Sequence, residues 1–172
     1  MDSDFLLIQK MKNGDGEAVE RFVRKYYPKI FQYCLLHIRN RNDAEDLTQE
    51  TFLKFFQSFA KYRHQGKCSS YLYTVAANTC KDYYKKKKES QIGEIEEGVS
   101  ENPGMETEEI RMDVENALAR LPVELRETAV LFFFQGLKQR EIARVLNIKV
   151  SLVKYRVSRA KILLAEYLKE ES

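Results

Sequence analysis

The segment Glu89 to Glu109 carries eight Glu, no Lys or Arg, and Gly93, Gly98, Pro103 and Gly104. A stretch this charged and this poor in apolar periodicity cannot bury enough surface to offset its own ordering, so it reads as an extended, flexible tether. The chain must therefore fold in two pieces, residues 1–88 and 110–172, joined by the linker 89–109. Net charge runs +7, −8 and +4 across the three parts. Two basic modules around an acidic tether suit a chain that meets a polyanion at two places.

Hydrophobic spacing assigns helices to both pieces. Phe5, Ile8 and Met11 open a first helix, which Gly14-Asp15-Gly16 ends. Ala18, Phe22, Tyr26, Ile30, Tyr33 and Leu36 mark a second. Pro28 inside that run predicts a kink or a break, because proline removes a helical hydrogen bond. After the polar turn Asn40-Arg41-Asn42, Asn42 or Asp43 can cap a third helix, and the loop Arg63 to Ser70 leads into a fourth, Tyr71 to Lys88. In the second piece Ile110, Val114, Leu118 and Leu121 form one apolar stripe. Pro122 restarts the chain, Leu125, Ala129, Phe132 and Phe133 form the next stripe, and Gly136 is its C-cap. The fold class is all-α: a four-helix N-terminal domain and a smaller helical C-terminal domain.

The end of the chain has the pattern of a helix-turn-helix that reads DNA. Ile142, Ala143 and Leu146 share one face of a short helix, and Asn147-Ile148-Lys149 makes the turn, where Asn tolerates a left-handed backbone. Val153, Val157, Ala160 and Leu164 form the buried side of a second helix. Its other side carries Ser151, Lys154, Tyr155, Ser158, Arg159 and Lys161, hydroxyl, cation and aromatic groups that can meet base edges and phosphates.

Two further segments carry chemistry. Along Asp43 to Phe59, the residues Ala44, Leu47, Thr51, Phe55 and Phe59 follow a buried face, while Asp46, Gln49, Glu50 and Leu53 fall on another. One leucine among acids and an amide suits docking on a basic helical partner, the leucine as anchor and the acids for specificity. Tyr62 to Lys88 mixes aromatics with cations. Tyr71, Tyr73, Tyr83 and Tyr84 supply stacking surfaces, Arg63, Lys67, Lys81 and Lys85 to Lys88 supply phosphate contacts, and Asn78 and Asp82 can meet base edges. Such a set suits unstacked single-stranded bases better than a duplex.

Other classes find little support. Cys34, Cys68 and Cys80 are odd in number and lack a CxxC pair, so a disulfide framework is not expected; His64 and Cys68 lack the second pair of ligands a zinc site needs. No apolar run reaches the ~20 residues of a membrane span and no signal peptide opens the chain, so a soluble protein of the cell interior is expected. There is no Gly-rich phosphate loop, metal cluster or nucleophile–base arrangement; neither catalysis nor a cofactor is expected.

The order of these pieces resembles the extracytoplasmic-function group of bacterial sigma factors, the dissociable promoter-recognition subunits of RNA polymerase. The matching residues are Gly14-Asp15 and Ala18, Asp43-Ala44-Glu45-Asp46-Leu47-Thr48-Gln49-Glu50-Thr51-Phe52-Leu53, Tyr62-Arg63, Tyr71-Leu72-Tyr73 and Ala76-Ala77-Asn78. In the C-terminal part they are Leu121-Pro122, Arg126, Glu141-Ile142-Ala143, Val153-Lys154, Arg156 and Arg159-Ala160. The resemblance covers nearly the whole chain except the linker. It departs at Tyr71, where the family most often has Trp, at Leu152 and Tyr155, where small hydroxyl residues are usual, and at Lys138, which replaces a Ser or Thr cap.

The resemblance implies a transcription initiation factor without catalytic activity. Its partners would be core RNA polymerase, through the β′ clamp helices and the β subunit, and promoter DNA, duplex at −35 and single-stranded at −10. The helix bearing Asp46, Gln49, Glu50 and Leu53 would dock on the β′ clamp helices. Arg63, Lys67, Tyr71, Asn78, Lys81, Asp82 and Lys85 would serve the −10 element, a base being flipped into the loop Arg63 to Ser70. Ser151, Lys154, Tyr155 and Ser158 would read the −35 element, with Arg156, Arg159 and Lys161 in backbone or structural contacts. The acidic linker would thread polymerase channels as a polyanion mimic. A membrane-linked anti-sigma factor would hold this cytoplasmic protein. The rival is a conventional helix-turn-helix regulator, which explains the C-terminal module but gives the Asp43–Leu53 face no task.

Overall fold

Every regular element among the residues that the computed structural model describes, 4–62, 67–90 and 106–170, is helical. They are α1 (Phe5–Lys12), α2 (Gly16–Ile38), α3 (Arg41–Phe59), α4 (Cys68–Ser90), α5 (Glu106–Arg120), α6 (Val123–Ala129), α7 (Gln139–Leu146) and α8 (Val150–Glu170). A π-helical turn, Val130–Phe134, continues α6. Helix α4 thus begins three residues earlier than the tyrosine spacing suggests, because buried Cys68 anchors its first turn in the core. Both α4 and α5 run into the segment read as linker, and residues 91–105 between them lie outside the described set.

Helix α2 shows how local rules yield to packing. Asp15 caps it, accepting from the N–H groups of Glu17 and Ala18, and Gly14 turns the chain at φ +86°. Pro28 does not break it: the helix is continuous through that position. Pro28 faces outward, while Phe22, Tyr26, Ile30 and Tyr33 bury the opposite side on both flanks of the proline. Burying each such side chain is worth about 1.5–3 kcal/mol, enough together to outweigh the ~3 kcal/mol that an interior proline costs. The helix ends at Arg39, whose backbone is left-handed at φ 65°. The cap of α3 is Asn40 rather than Asn42 or Asp43; its side chain accepts from the N–H of Asp43 at 3.1 Å.

The N-terminal core lies where α2, α3 and α4 meet. Phe22 and Phe55 stack with ring centroids 5.1 Å apart, and Ile30, Tyr33, Leu72 and Ala76 close the space around them. The C-terminal core is built from Leu118, Leu121, Leu131, Ile142 and Val153. Here the α6 stripe is corrected. The π turn, in which the N–H of Gln135 reaches the carbonyl of Val130 at 3.0 Å, shifts the helical phase. Val130 and Leu131 take the buried positions and Phe133 is left 43% exposed. Gly136, at φ +69°, supplies the left-handed residue that stops the helix. The side chain of Ile110 lies outside the described residues.

The two halves pack on each other along a seam where α4 meets α7 and α2 meets α5 and the π turn. Tyr73 donates to Gln135 Oε1 at 2.6 Å, Gln135 Nε2 to Gln32 at 3.1 Å, and Arg39 to Asn116 at 2.6 Å. Arg126 reaches from α6 to the His37 carbonyl at 3.2 Å and to the Tyr84 hydroxyl at 3.0 Å, and Tyr84 itself donates to that carbonyl. In the middle of the seam Tyr33 Oη, His37 Nδ1 and Glu127 Oε1 are buried with no hydrogen-bond partner among the described residues. Each such group costs about 1–3 kcal/mol in desolvation.

His37 gives the fold a pH dependence. Its ring is 2% exposed between Tyr33 and Tyr84, at centroid distances of 5.7 and 5.3 Å. Burial first, and the charge of Arg126 second, push its pKa down to about 3. An unfolded histidine titrates near pH ~6.5 and takes up a proton that the folded chain refuses. His37 should therefore leave stability intact above pH 6.5 and erode it progressively as pH falls toward 3. In thermal melts at pH 7 and pH 5, His37→Phe should lose less stability than the parent chain; an equal loss in both would remove His37 as the cause.

Candidate nucleic-acid interface

Three exposed surfaces stand on this framework. The first is the outer face of α3. Ala44, Leu47, Thr48, Thr51, Phe52 and Phe55 are buried behind it, and the two threonine hydroxyls donate to carbonyls one turn back at 2.7 and 2.6 Å. Asp46 and Gln49 are exposed in front, Glu50 is half-buried, and Leu53 is 61% exposed. The phase read from the sequence is the one observed. Lys54 was missed: its ammonium lies 3.0 Å from Glu50 and 3.9 Å from Asp82, joining this face to α4. The i, i+4 spacing of Glu50 and Lys54 was the available signal.

The second surface is α4 and what leads into it. Asn78, Lys81, Asp82 and Lys85 are all exposed, at i, i+3, i+4 and i+7 along one face. Tyr71 is half-buried, its ring 4.9 Å from Tyr62 and 5.6 Å from Phe55, its hydroxyl bonded to Ser58. Its free edge lines a cavity of about 410 Å³ with Ser58, Lys61, Tyr62, Lys67, Ser70, Thr74 and Arg144. Lys67 is exposed at the rim, 3.4 Å from Glu141. Arg63 lies outside the described residues.

Not every tyrosine of α4 is a stacking surface. Tyr73 is buried in the seam and closed to a base, and Tyr84 is half-buried, one side of its ring against His37. Tyr83 donates to Asp43 at 2.6 Å; burial first, then that hydrogen bond, raises its pKa far above the usual phenol range. The period of α4 shows an aromatic face but not which half of it a second domain covers. Lys61 and Arg144 were not singled out from the sequence, because only the fold brings them to one cavity.

The third surface is the outer side of α8. Ser151, Lys154, Tyr155, Ser158, Arg159 and Lys161 are exposed and Arg156 is half-buried. Val153, Val157 and Ala160 are buried on the reverse side, and Leu164 is half-buried. The turn before the helix holds Asn147 at φ 55°, and Lys138 gives α7 no side-chain cap. Lys154 and Tyr155 are therefore held on a rigid helix, at its N-terminal end, where a helix laid in a major groove meets base edges. Among the described residues no group of His, Cys, Asp or Glu is arranged to hold a metal, Cys34, Cys68 and Cys80 are buried and form no disulfide, and no helix is long and apolar enough to cross a membrane.

Residues 22–90 match the family model for sigma-70 region 2, and residues 111–164 match that for sigma-70 region 4. The chain belongs to the extracytoplasmic-function sigma factors. Among curated relatives, the ECF RNA polymerase sigma factor SigW of Bacillus subtilis is 29% identical, covering 95% of each chain. The RNA polymerase sigma-H factor of Pseudomonas aeruginosa is 27% identical over 93% of this chain and 91% of its own. Among solved structures, CnrH, captured with the cytosolic domain of CnrY, has the same fold at 22% identity, with a TM-score of 0.80 over 99% of this chain and 100% of that one. The sigma factor RpoE of Bartonella quintana, captured with the anti-sigma factor NepR, superposes with a TM-score of 0.72 at 21% identity over 88% and 96%. A conventional regulator does not account for the region 2 match. This sigma factor directs promoter-specific initiation of transcription. Its α3 face and α4 lie in region 2, its helix-turn-helix in region 4.

Proposed function

We propose that residues 1–88 dock on core RNA polymerase and capture the −10 element, that residues 110–172 grip the −35 element, and that residues 89–109 tether the two. The exposure of Leu53 carries this reading. A leucine 61% exposed among Asp46, Gln49 and Glu50, on a helix whose other faces are packed, has no structural task within the chain. It suits an apolar anchor ringed by acids, set against a basic helical partner such as the β′ clamp helices.

In this mechanism the chain performs no covalent step. Asn78 and Asp82 meet bases of the melted non-template strand, Lys81, Lys85 and Arg63 its phosphates, and the cavity beside Tyr71 receives a flipped base with Lys67 at its rim. Stacking is worth about 1–3 kcal/mol per base, so opening is driven by binding. Lys154, Tyr155, Ser151 and Ser158 read −35 base edges in the major groove, while Arg156, Arg159 and Lys161 hold the backbone or the helix itself. The protein works in the cytoplasm, and an anti-sigma factor holds it inactive at the membrane; the Bartonella quintana protein of like fold was captured with the anti-sigma factor NepR.

Run-off transcription with core polymerase tests the whole: the chain should yield a promoter-specific product without any other sigma factor. Leu53→Asp should weaken core binding by about tenfold or more with near-unchanged thermal stability. Unfolding of the variant, or unchanged affinity, would take Leu53 out of the interface. On the −35 side, Lys154→Ala should cost about 1–3 kcal/mol and relax preference at one position, whereas Arg159→Ala should weaken all sequences alike. A Lys154→Ala protein that keeps the parent base preference in a selection has lost no base reader. For the −10 element, a single-stranded non-template oligonucleotide should bind the holoenzyme better than the same duplex, and Asn78→Ala should lower that affinity and slow open-complex formation. Equal effects of Asn78→Ala on duplex and pre-opened template would assign it to folding or docking instead.

A further inference from the structure

The cavity beside Tyr71 has a wall of aromatic rings that polar groups tie down at both ends. Tyr62 lies nearly parallel to Phe59 and to Tyr71, with ring centroids 6.3 and 4.9 Å away and interplanar angles of 13° and 24°. Both tyrosines are half-buried, so the core does not by itself hold them. Rings attract over centroid separations of roughly 4.5–7 Å, and stacking alone leaves a ring room to slide and turn on its neighbour.

Ser58 ties one end. Its hydroxyl meets the Tyr71 phenol, and its Oγ also lies 3.1 Å from the carbonyls of Lys54 and Phe55. A serine has one hydroxyl proton and a carbonyl can only accept, so that proton goes to the last turn of α3 and the phenol donates to Ser58. The Tyr71 ring is thereby fixed to α3 across the corner where α3 and α4 meet. Ser58 keeps no donor for a ligand in the cavity that it lines.

Lys12 ties the other. Helix α1 lies ahead of residues 22–90, the stretch matched to sigma-70 region 2, and packs on α2 with Ile8 and Met11 buried. That seating leaves the Lys12 ammonium exposed at the helix end, where it donates to the Tyr62 carbonyl at 2.9 Å. The same ammonium lies 5.7 Å from the centroid of the Tyr62 ring and 5.9 Å from that of Phe59, within the ~6 Å reach of a cation–π contact. One cation thus holds both the backbone and the ring of a residue fifty positions further along the chain.

We propose that Lys12 and Ser58 are positioning residues for strand capture: they hold Tyr62 and Tyr71 in place before DNA arrives, so the cavity is formed in advance for the base it receives. A wall already ordered binds more tightly than one ordered on contact, because each side chain immobilised on binding subtracts from affinity. Neither residue reads the base, and both act through the rings. The proposal rests on the reading of this cavity as the seat of a flipped base, and it gives α1 a part in that seat.

The test measures, in the holoenzyme, binding of single-stranded non-template oligonucleotides carrying the −10 element of a promoter that the chain transcribes. Each is used intact and with one abasic nucleotide at each position in turn, and the ratio of the two affinities reports what that base contributes. Ser58→Ala and Lys12→Met should each shrink the ratio about fivefold at one position and leave it unchanged at the others. A merely structural defect lowers every affinity alike and moves no ratio. Tyr71→Phe, which deletes the phenol and keeps the ring, should match Ser58→Ala, and the two together should be no worse than either, since both break one hydrogen bond. Ser58→Thr and Lys12→Arg, which keep the hydroxyl and the cation, should restore the parent ratio. Tyr71→Leu, which removes the ring itself, should abolish the base's contribution at that position. If Tyr71→Leu moves a ratio and the Lys12 and Ser58 variants move none, the positioning roles are overturned; additive effects of Tyr71→Phe and Ser58→Ala would overturn the part given to Ser58. If Tyr71→Leu moves no ratio, the seat of the flipped base falls and the proposal with it.

Discussion

The arrangement of the molecule turns on one guanidinium. Arg126 donates to the carbonyls of Leu118, Ala119 and Leu121 at 3.1 Å each, capping the end of α5. It also reaches into the other half, to the His37 carbonyl and the Tyr84 hydroxyl. A planar group with five donors is suited to this; an ammonium on a flexible stem could not serve such divergent acceptors. The same side chain thus satisfies helix-end carbonyls that would otherwise be orphaned and fixes the angle at which the C-terminal half meets α2 and α4. Its charge, second to burial, is also why His37 stays neutral.

Around that centre the chain separates two kinds of contact. Apolar packing makes each half: Phe22 on Phe55 in one, Leu131, Ile142 and Val153 in the other. The apolar core continues from one half into the other, and polar contacts set how the halves are oriented on it. Apolar burial is strong and indifferent to direction, whereas hydrogen bonds contribute less net free energy and specify orientation. This combination fixes the angle at which the halves meet. It also leaves the outer sides of α3 and α8 clear, since neither side faces the seam.

Much of this could be read from residues alone, and the reasons for the failures are physical. The α3 face and the α8 face were legible because a single helix sorts its residues by period, and Leu53 and Tyr155 stand where the period puts them. Asn147 and Gly136 were legible because few residues accept a left-handed backbone. Pro28 misled because propensity is local and the packing of Phe22 and Ile30 is not. Phe133 misled because period-based reading assumes a uniform α turn, which Val130–Phe134 does not have. Tyr73 misled because a one-dimensional pattern shows that a face is aromatic, not that another domain will cover it. For the same reason the cavity with Lys61 and Arg144 had no sequence signature: its walls come from three helices and the turn between two of them.

The widened turn at Val130–Phe134 bears on how such a chain tolerates insertion and deletion. A π turn holds one more residue than an α turn, so it is equivalent to an insertion absorbed within a helix. Removing one residue there would restore a regular pitch, but everything downstream would rotate by about 100° and retreat by about 1.5 Å relative to α6. Helices α7 and α8 would then point elsewhere with their own sequences unchanged, and Gly136 would no longer fall at the stop. The bulge thus acts as a length setting within the C-terminal half, between α6 and the helix-turn-helix. Relatives that differ by one residue in this stretch should aim the reading helix differently even where its side chains are identical, so their promoter preferences are not interchangeable by grafting α8 alone.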